Sequence, residues 1–126
     1  MGTTIDASVV IAWQNPAHVF HREATAIIIE AEIPLHMSEL NLAEVLVGID
    51  RDQWTQFMND LRGVGFEWCN PSAPNVAQSR LETGLRMPDA YVIATAHTCE
   101  DTAILSFDST IVKAAQALGL ITNSIS

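Results

Sequence analysis

Short β-type runs alternate with helical segments along nearly the whole chain, and that alternation confines the fold to α/β architectures with a mainly parallel sheet. Thr3-Thr4-Ile5 reads as a strand ended by Asp6. Ala7 to Trp13 reads as a short helix with Val9, Val10 and Trp13 on one face, broken by Asn15-Pro16. Ala17 to Ala31 follows as a second helix, and Ile33 to Met37 as a second strand with Pro34 near its start. Ser38 is the expected N-cap of a helix in which Leu42, Val45, Leu46 and Ile49 recur at i, i+3, i+4 and i+7. A further helix is expected from about Asp52 to Leu61, a turn at Gly63 and Gly65, and a third strand at Phe66 to Cys69. After the loop ending at Pro74 comes a helix to about Leu85; another opens at Met87-Pro88 and runs through Ala96. Ala103 to Phe107 is the fourth strand, Ser109 to Leu118 the last helix with Gly119 after it, and Leu120 to Thr122 a short fifth strand.

At 126 residues the expectation is one domain spanning 1–126. The sheet should carry four to five strands with helices on both faces, a three-layer α/β sandwich. An apolar content of 48 % supplies a core, and a charged fraction of 17 % argues against disorder. No apolar run approaches the roughly 20 residues that cross a bilayer, and no basic leader precedes an apolar stretch at the N-terminus. The expected partners therefore exclude a membrane. Cys69 and Cys99 have neither C-x-x-C nor zinc-like spacing, so they read as buried structural thiols. A reducing cytoplasm fits them best.

Four acids interrupt or follow segments that should be buried: Asp6, Glu44, Asp89 and Asp108. Unpaired carboxylates are costly to desolvate. The whole chain holds six Lys plus Arg against fifteen Asp plus Glu, so a bound divalent cation is the economical partner. In parallel α/β folds ligands bind beyond the carboxyl ends of the strands, where Asp6 and Asp108 stand. Each acid also has an ordinary local role. Asp6 and Asp108 are good N-caps, and Asp89 lies in a first helical turn, where the helix dipole favours negative charge. Glu44 resists that explanation. Leu40, Ala43 and Val47 flank it, which places it in an enclosed cleft.

The segments around these acids resemble the PIN-domain ribonucleases, and among them the VapC-type toxins of toxin–antitoxin pairs. Ile5-Asp6-Ala7-Ser8-Val9-Val10 looks like the family's first strand and acid, and Ser38-Glu39-Leu40-Asn41-Leu42-Ala43-Glu44-Val45-Leu46 its second motif. Met87-Pro88-Asp89-Ala90-Tyr91-Val92-Ile93-Ala94-Thr95-Ala96 is the most specific match, and Ile104-Leu105-Ser106-Phe107-Asp108 resembles the final strand. The likeness runs from residue 3 to about 121, with no family signal between Arg51 and Arg86. It implies a PIN-like fold and an endoribonuclease that uses Mg²⁺ or Mn²⁺, hard ions suited to carboxylates. Asp6, Asp89 and Asp108 would be metal ligands, directly or through water; Glu44 would ligate or position the attacking water. It also implies inhibition by a cognate antitoxin and assembly as a homodimer.

Ser106 is a candidate to orient Asp108 or a metal-bound water, with simple strand packing as the equal alternative. Ser8 is expected to cap its helix rather than bond Asp6. Arg86, three residues before Asp89, is a candidate to contact phosphate or to hold a carboxylate in place, although a surface arginine is the commoner outcome. His18 and His21 share a helical face but lack a third ligand, and His36 and His97 read as structural. Trp54, Phe57 and Leu61 read as core or a partner interface. Net charge −9 argues against a non-specific polyanion binder and suits a basic antitoxin segment. A non-catalytic PIN-like interaction module is the competing reading. A receiver-type phosphorylation domain is disfavoured because Lys113, the only lysine, falls inside a helix.

Overall fold

The computed structural model describes residues 2–123. Its centre is a five-stranded sheet in the order β3-β2-β1-β4-β5, every neighbouring pair parallel. The strands are β1 (Thr3–Ile5), β2 (Leu35–Met37), β3 (Phe66–Trp68), β4 (Ala103–Leu105) and β5 (Ile121–Thr122). The helices are α1 (Ala7–Gln14), α2 (His21–Glu30), α3 (Glu39–Leu46), α4 (Trp54–Val64), α5 (Ala73–Thr83), α6 (Met87–Thr98) and α7 (Ser109–Ala117).

Period-two alternation along the strands sends side chains to two cores. Ile5, Leu35, Met37 and Phe66 pack with Val9, Val10, Ala24, Leu42 and Leu61 from the first four helices. Ile104 packs on the other face with Val92, Ile93, Ala96, Ile111 and Ala115 of α6 and α7. Helices thus cover both faces, giving the three-layer α/β sandwich expected. Leu61 and Phe57 resolve as core, Leu61 buried and Phe57 packed on the first cluster, whereas Trp54 is half-buried and donates from Nε1 to the carbonyls of Leu46 and Ile49 at 2.9 Å each.

Of the element boundaries that differ from the pattern-based expectation, three have a hydrogen-bonding reason. Helix α2 starts at His21 rather than Ala17. Asn15 Oδ1 takes the Ala17 amide at 3.1 Å and His18 Nδ1 takes the Phe20 amide at 3.0 Å, an alternative to helical pairing. Strand β2 starts at Leu35, past the imino nitrogen of Pro34; the Leu35 amide donates to Gly65 O. Strand β4 ends at Leu105 because side chains take over the next amides: Ser106 N donates to Asn123 Oδ1, Phe107 N to Ser8 Oγ, and Asp108 N to Ser106 Oγ.

The chain reverses direction across the sheet between β1 and β4. Connections from β1 lead outward to β2 and β3, while β4 returns to the other side of β1. The crevice beyond the carboxyl ends of two such strands is where parallel sheets bind ligands. Asp6 N donates to Leu105 O at 3.0 Å there, fastening the two strand ends together.

Candidate functional site

Asp6 stands at the N-cap position of α1, yet its side chain caps nothing. Its Oδ2 instead accepts from Ser8 Oγ at 2.6 Å and from Ser106 Oγ at 2.7 Å. Ser8 therefore bonds Asp6, against the expectation that it caps its own helix. It also accepts the Phe107 amide at 3.0 Å, which bare helix-end geometry did not foretell. Ser106 is fully buried and does more than pack: one oxygen donates to Asp6 and accepts from Asp108 N at 2.9 Å. The two strand-end acids are joined through that single hydroxyl.

Asp108 does serve as an N-cap. Its Oδ1 accepts from Thr110 N at 2.9 Å, Thr110 Oγ1 at 2.5 Å and Ile111 N at 3.4 Å, leaving Oδ2 for other duties. Partial burial pushes its carboxyl up, but the Thr110 hydroxyl, the Thr110 and Ile111 amides and the Arg86 charge outweigh that, and its pKa is lowered. Asp6 is only 6 % exposed, and burial raises its pKa against the Ser8 and Ser106 hydrogen bonds, with the Asp108 charge adding to the rise. Asp89, half-buried in the first turn of α6, is raised by burial, then by Asp108 and Asp6, and lowered by Arg86. Asp89 thus feels the charges of Asp108 and Asp6, and Asp6 that of Asp108, while Arg86, exposed at the N-cap of α6, acts on Asp89 and Asp108.

Glu44 departs from expectation. It is exposed, as are its neighbours Ala43 and Val47, the latter 84 %. Helix α3 buries Asn41, Leu42 and Val45, and the apolar residues beside Glu44 are simply on the outward face. The acid is nonetheless tethered. Asn41, 2 % exposed, donates from Nδ2 to Glu44 Oε1 at 2.8 Å and to Pro88 O at 3.1 Å, and Ser38 Oγ donates to its Oδ1 at 2.7 Å. This buried amide links the helix of Glu44 to the residue before Asp89. Sequence reasoning passed over Asn41; the signal available was its i, i+3 spacing to Glu44.

Beside Asp108 lies an open depression of about 370 Å³ bordered by Ser8, Ile11, His18, Phe20 and Phe107. Phe20 and Phe107 stack there at 4.9 Å between ring centroids. His18 and His21 do not form a metal pair: each commits Nδ1 to backbone, His18 to the Phe20 amide and His21 to the Ala12 carbonyl at 3.1 Å. Among the described residues no three of the four acids bring ligand oxygens within 4.8 Å of one another. Mutually repelling carboxylates that face across a wider gap are a donor set suited to a hard divalent ion that keeps several waters. The fit is chemical: three like charges, two of them raised, in a place where a cation would offset the repulsion.

A protein-family model described as "PIN domain" matches residues 3–117. A search of curated protein sequences returns no match. Among solved structures, VapC20 of Mycobacterium tuberculosis, a Sarcin-Ricin loop cleaving toxin, superposes with TM-score 0.69 at 16 % identity over 94 % of this chain and 96 % of that one. A toxin–antitoxin complex from Klebsiella pneumoniae gives 0.68 at 22 % over 85 % and 87 %. VapBC2 of Rickettsia felis, bound to a DNA fragment from its promoter, gives 0.64 at 15 % over 98 % of each chain. At these identities the likeness is one of fold.

Proposed function

The chain belongs to the PIN-domain family, and from that premise we propose that it is a metal-dependent endoribonuclease of the VapC toxin type, hydrolysing RNA phosphodiester bonds. The observation that carries the proposal is the joining of Asp6 and Asp108 through the Ser106 hydroxyl at the switch point of a parallel sheet, with Asp89 near enough to feel both charges. Asp6, Asp89 and Asp108 would hold Mg²⁺ or Mn²⁺. When bound, such an ion polarises a phosphate oxygen and activates a water for in-line attack.

The protein's own share is positioning. Ser8 and Ser106 clamp Oδ2 of Asp6 and so fix the carboxylate at the end of β1. The amides of α7 hold Asp108 by Oδ1 and aim Oδ2. Glu44, open to solvent and steadied by Asn41, orients water from the rim and accepts its proton. Arg86 contacts a substrate phosphate, the charge it otherwise lends to Asp89 and Asp108. The Phe20–Phe107 pair offers a base-stacking shelf beside Asp108, which supplies RNA affinity to a chain poor in Lys and Arg.

The same acidic rim suits a basic side chain from a cognate antitoxin, and structural kinship with toxin–antitoxin complexes supports that partner. Homodimerisation would bring two sets of arginines to one RNA. No helix among the described residues is long and apolar enough to cross a membrane. The test is cleavage of total RNA in Mn²⁺ and in chelator by wild type and Asp89→Asn. Metal-dependent cutting that the variant loses, with its circular dichroism unchanged, is the expected result. Equal cutting by both removes Asp89 from the site; no cutting by either points to a non-catalytic interaction module.

A further inference from the structure

A second set of donor atoms lies at the opposite end of α6. His36 in the middle of β2, Cys99 at the C-cap of α6 and Asp101 just before β4 bring one ligand atom apiece within 4.8 Å of one another. Cys69, the residue after β3, lies near enough to Cys99 to act on its thiol, so a further sulfur borders the group. The face is fixed by register: Thr4 pairs with His36 and His36 with Glu67, all on the α6 side of the sheet.

The Asp101 side chain is 0 % exposed. Its Oδ2 accepts from Thr4 Oγ1 at 2.8 Å and lies 2.7 Å from His36 Nδ1. Its Oδ1 is buried with no hydrogen-bond partner. No lysine or arginine among the described residues pairs with it. A buried carboxylate oxygen left unmatched is expensive, and buried charges are as a rule paired or bound to metal. Gly2 closes the site from the strand side. A Cβ there would stand 2.8 Å from Asp101 Oδ1 and 2.9 Å from His36 Cε1.

We propose that His36, Cys99 and Asp101, with the neighbouring Cys69 drawn in as the fourth ligand when the ion binds, form a structural zinc site separate from the acidic rim. Mixed sulfur, nitrogen and carboxylate donors select a borderline ion such as Zn²⁺ over Mg²⁺ or Ca²⁺, which take oxygen. Four protein ligands close a tetrahedral site and leave no position for substrate, so the role is architectural. The ion would tie together β2, the end of β3, the end of α6 and the start of β4. Asp89 sits ten residues up the same helix, about 15 Å away at 1.5 Å per residue, so a fixed C-terminal end of α6 steadies the acid at its N-terminal end.

Without metal, the Cys99 thiol is pushed up to about 12 by burial, by the neighbouring Cys69 thiol and by the charges of Asp101 and Glu67. A divalent cation reverses that balance, and each ligating thiol gives its proton to solvent as it binds.

The test uses reduced, chelator-stripped full-length protein titrated with Co²⁺, a spectroscopic stand-in for zinc, followed by Zn²⁺. The expected result is a sulfur-to-cobalt charge-transfer band with tetrahedral d–d bands, saturating at one equivalent and bleached by Zn²⁺. A carboxylate-only rim cannot produce a sulfur band, so Asp89→Asn retains it. Cys99→Ser loses it, and His36→Gln weakens Co²⁺ affinity on the order of a hundredfold, at or above the cost of losing an outer partner of a metal ligand. Reduced wild type with both thiols free and no sulfur band overturns the proposal, whatever the variants do. So does a thiol count showing Cys69 and Cys99 already joined as a disulfide in freshly purified protein.

Discussion

Ser106→Ala isolates the strut between two strand-end acids. The substitution deletes one oxygen and no apolar packing, at a fully buried position. Two hydrogen bonds go with it: the 2.7 Å donation to Asp6 Oδ2 and the 2.9 Å bond from the Asp108 amide. A hydrogen bond to a charged group contributes about 1.5–3 kcal/mol, and an orphaned buried amide costs about 1–3 kcal/mol. The two losses do not add in full, because Ser8 Oγ stays 2.6 Å from the same carboxylate oxygen and lies 3.5 Å from the deleted hydroxyl. The expected loss is about 2–3 kcal/mol at neutral pH, a urea midpoint lower by about 1–2 M at unchanged slope. The pH dependence carries the sign of the argument. Ser106 stabilises the ionised form of Asp6, so its removal raises the folded-state pKa further. The deficit is therefore full above the raised folded-state pKa of Asp6 and shrinks to roughly 1 kcal/mol, the amide share, where Asp6 is protonated. Ser106→Thr keeps the hydroxyl and should recover most of the pH-dependent part. Urea melts of the three proteins at several pH values make the measurement. A deficit below about 0.5 kcal/mol, or one independent of pH, would refute the strut.

Two further outcomes test the rim. Asp6 is raised in the fold, so the stability linked to its protonated form is present at acid pH and lost as pH rises through its folded pKa; Asp108, lowered, loses its contribution as pH falls through its own. Asp6→Asn should therefore be more stable than wild type in chelator at neutral pH, with the gap closing in acid and on adding Mg²⁺, as followed by thermal melts; a variant less stable than wild type at neutral pH would contradict the burial argument. Asn41→Ala removes the bond to the Pro88 carbonyl and frees Glu44, so unfolding free energy should fall by about 1–2 kcal/mol, with turnover of an RNA substrate falling more than its binding; wild-type turnover would show that Glu44 needs no tether.

Much of the architecture was legible in local pattern. Hydrophobic periodicity and Pro/Gly punctuation found all five strands and all seven helices because each is specified by a few adjacent residues. The errors fell at ends, where a side chain competes for a backbone amide: Asn15 and His18 before α2, and Ser8, Ser106 and Asn123 after β4. The strand-end placement of Asp6 and Asp108 followed from the same pattern, because a parallel sheet fixes which end of a strand is the functional rim. The apolar setting read for Glu44 failed, because apolar neighbours on a helix reveal burial only when the opposite face is solvated, and α3 exposes Val47 at 84 %.

The sequence alone determined the class of fold, the order of its elements and the four acids at their motif positions. These depend on periodicity and on residue chemistry within a few positions of each other. Tertiary structure alone decided which hydroxyls hold Asp6, how Asn41 ties Glu44 to the segment before Asp89, and that His36, Cys69, Cys99 and Asp101 gather at the far end of α6. Those contacts reach from near neighbours, Ser8 with Asp6, to residues 100 positions apart, Ser106 with Asp6. The distant partners, Ser106 for Asp6 and Pro88 for Asn41, are set by sheet order and strand register, which bring separate segments together and leave no local spacing to read.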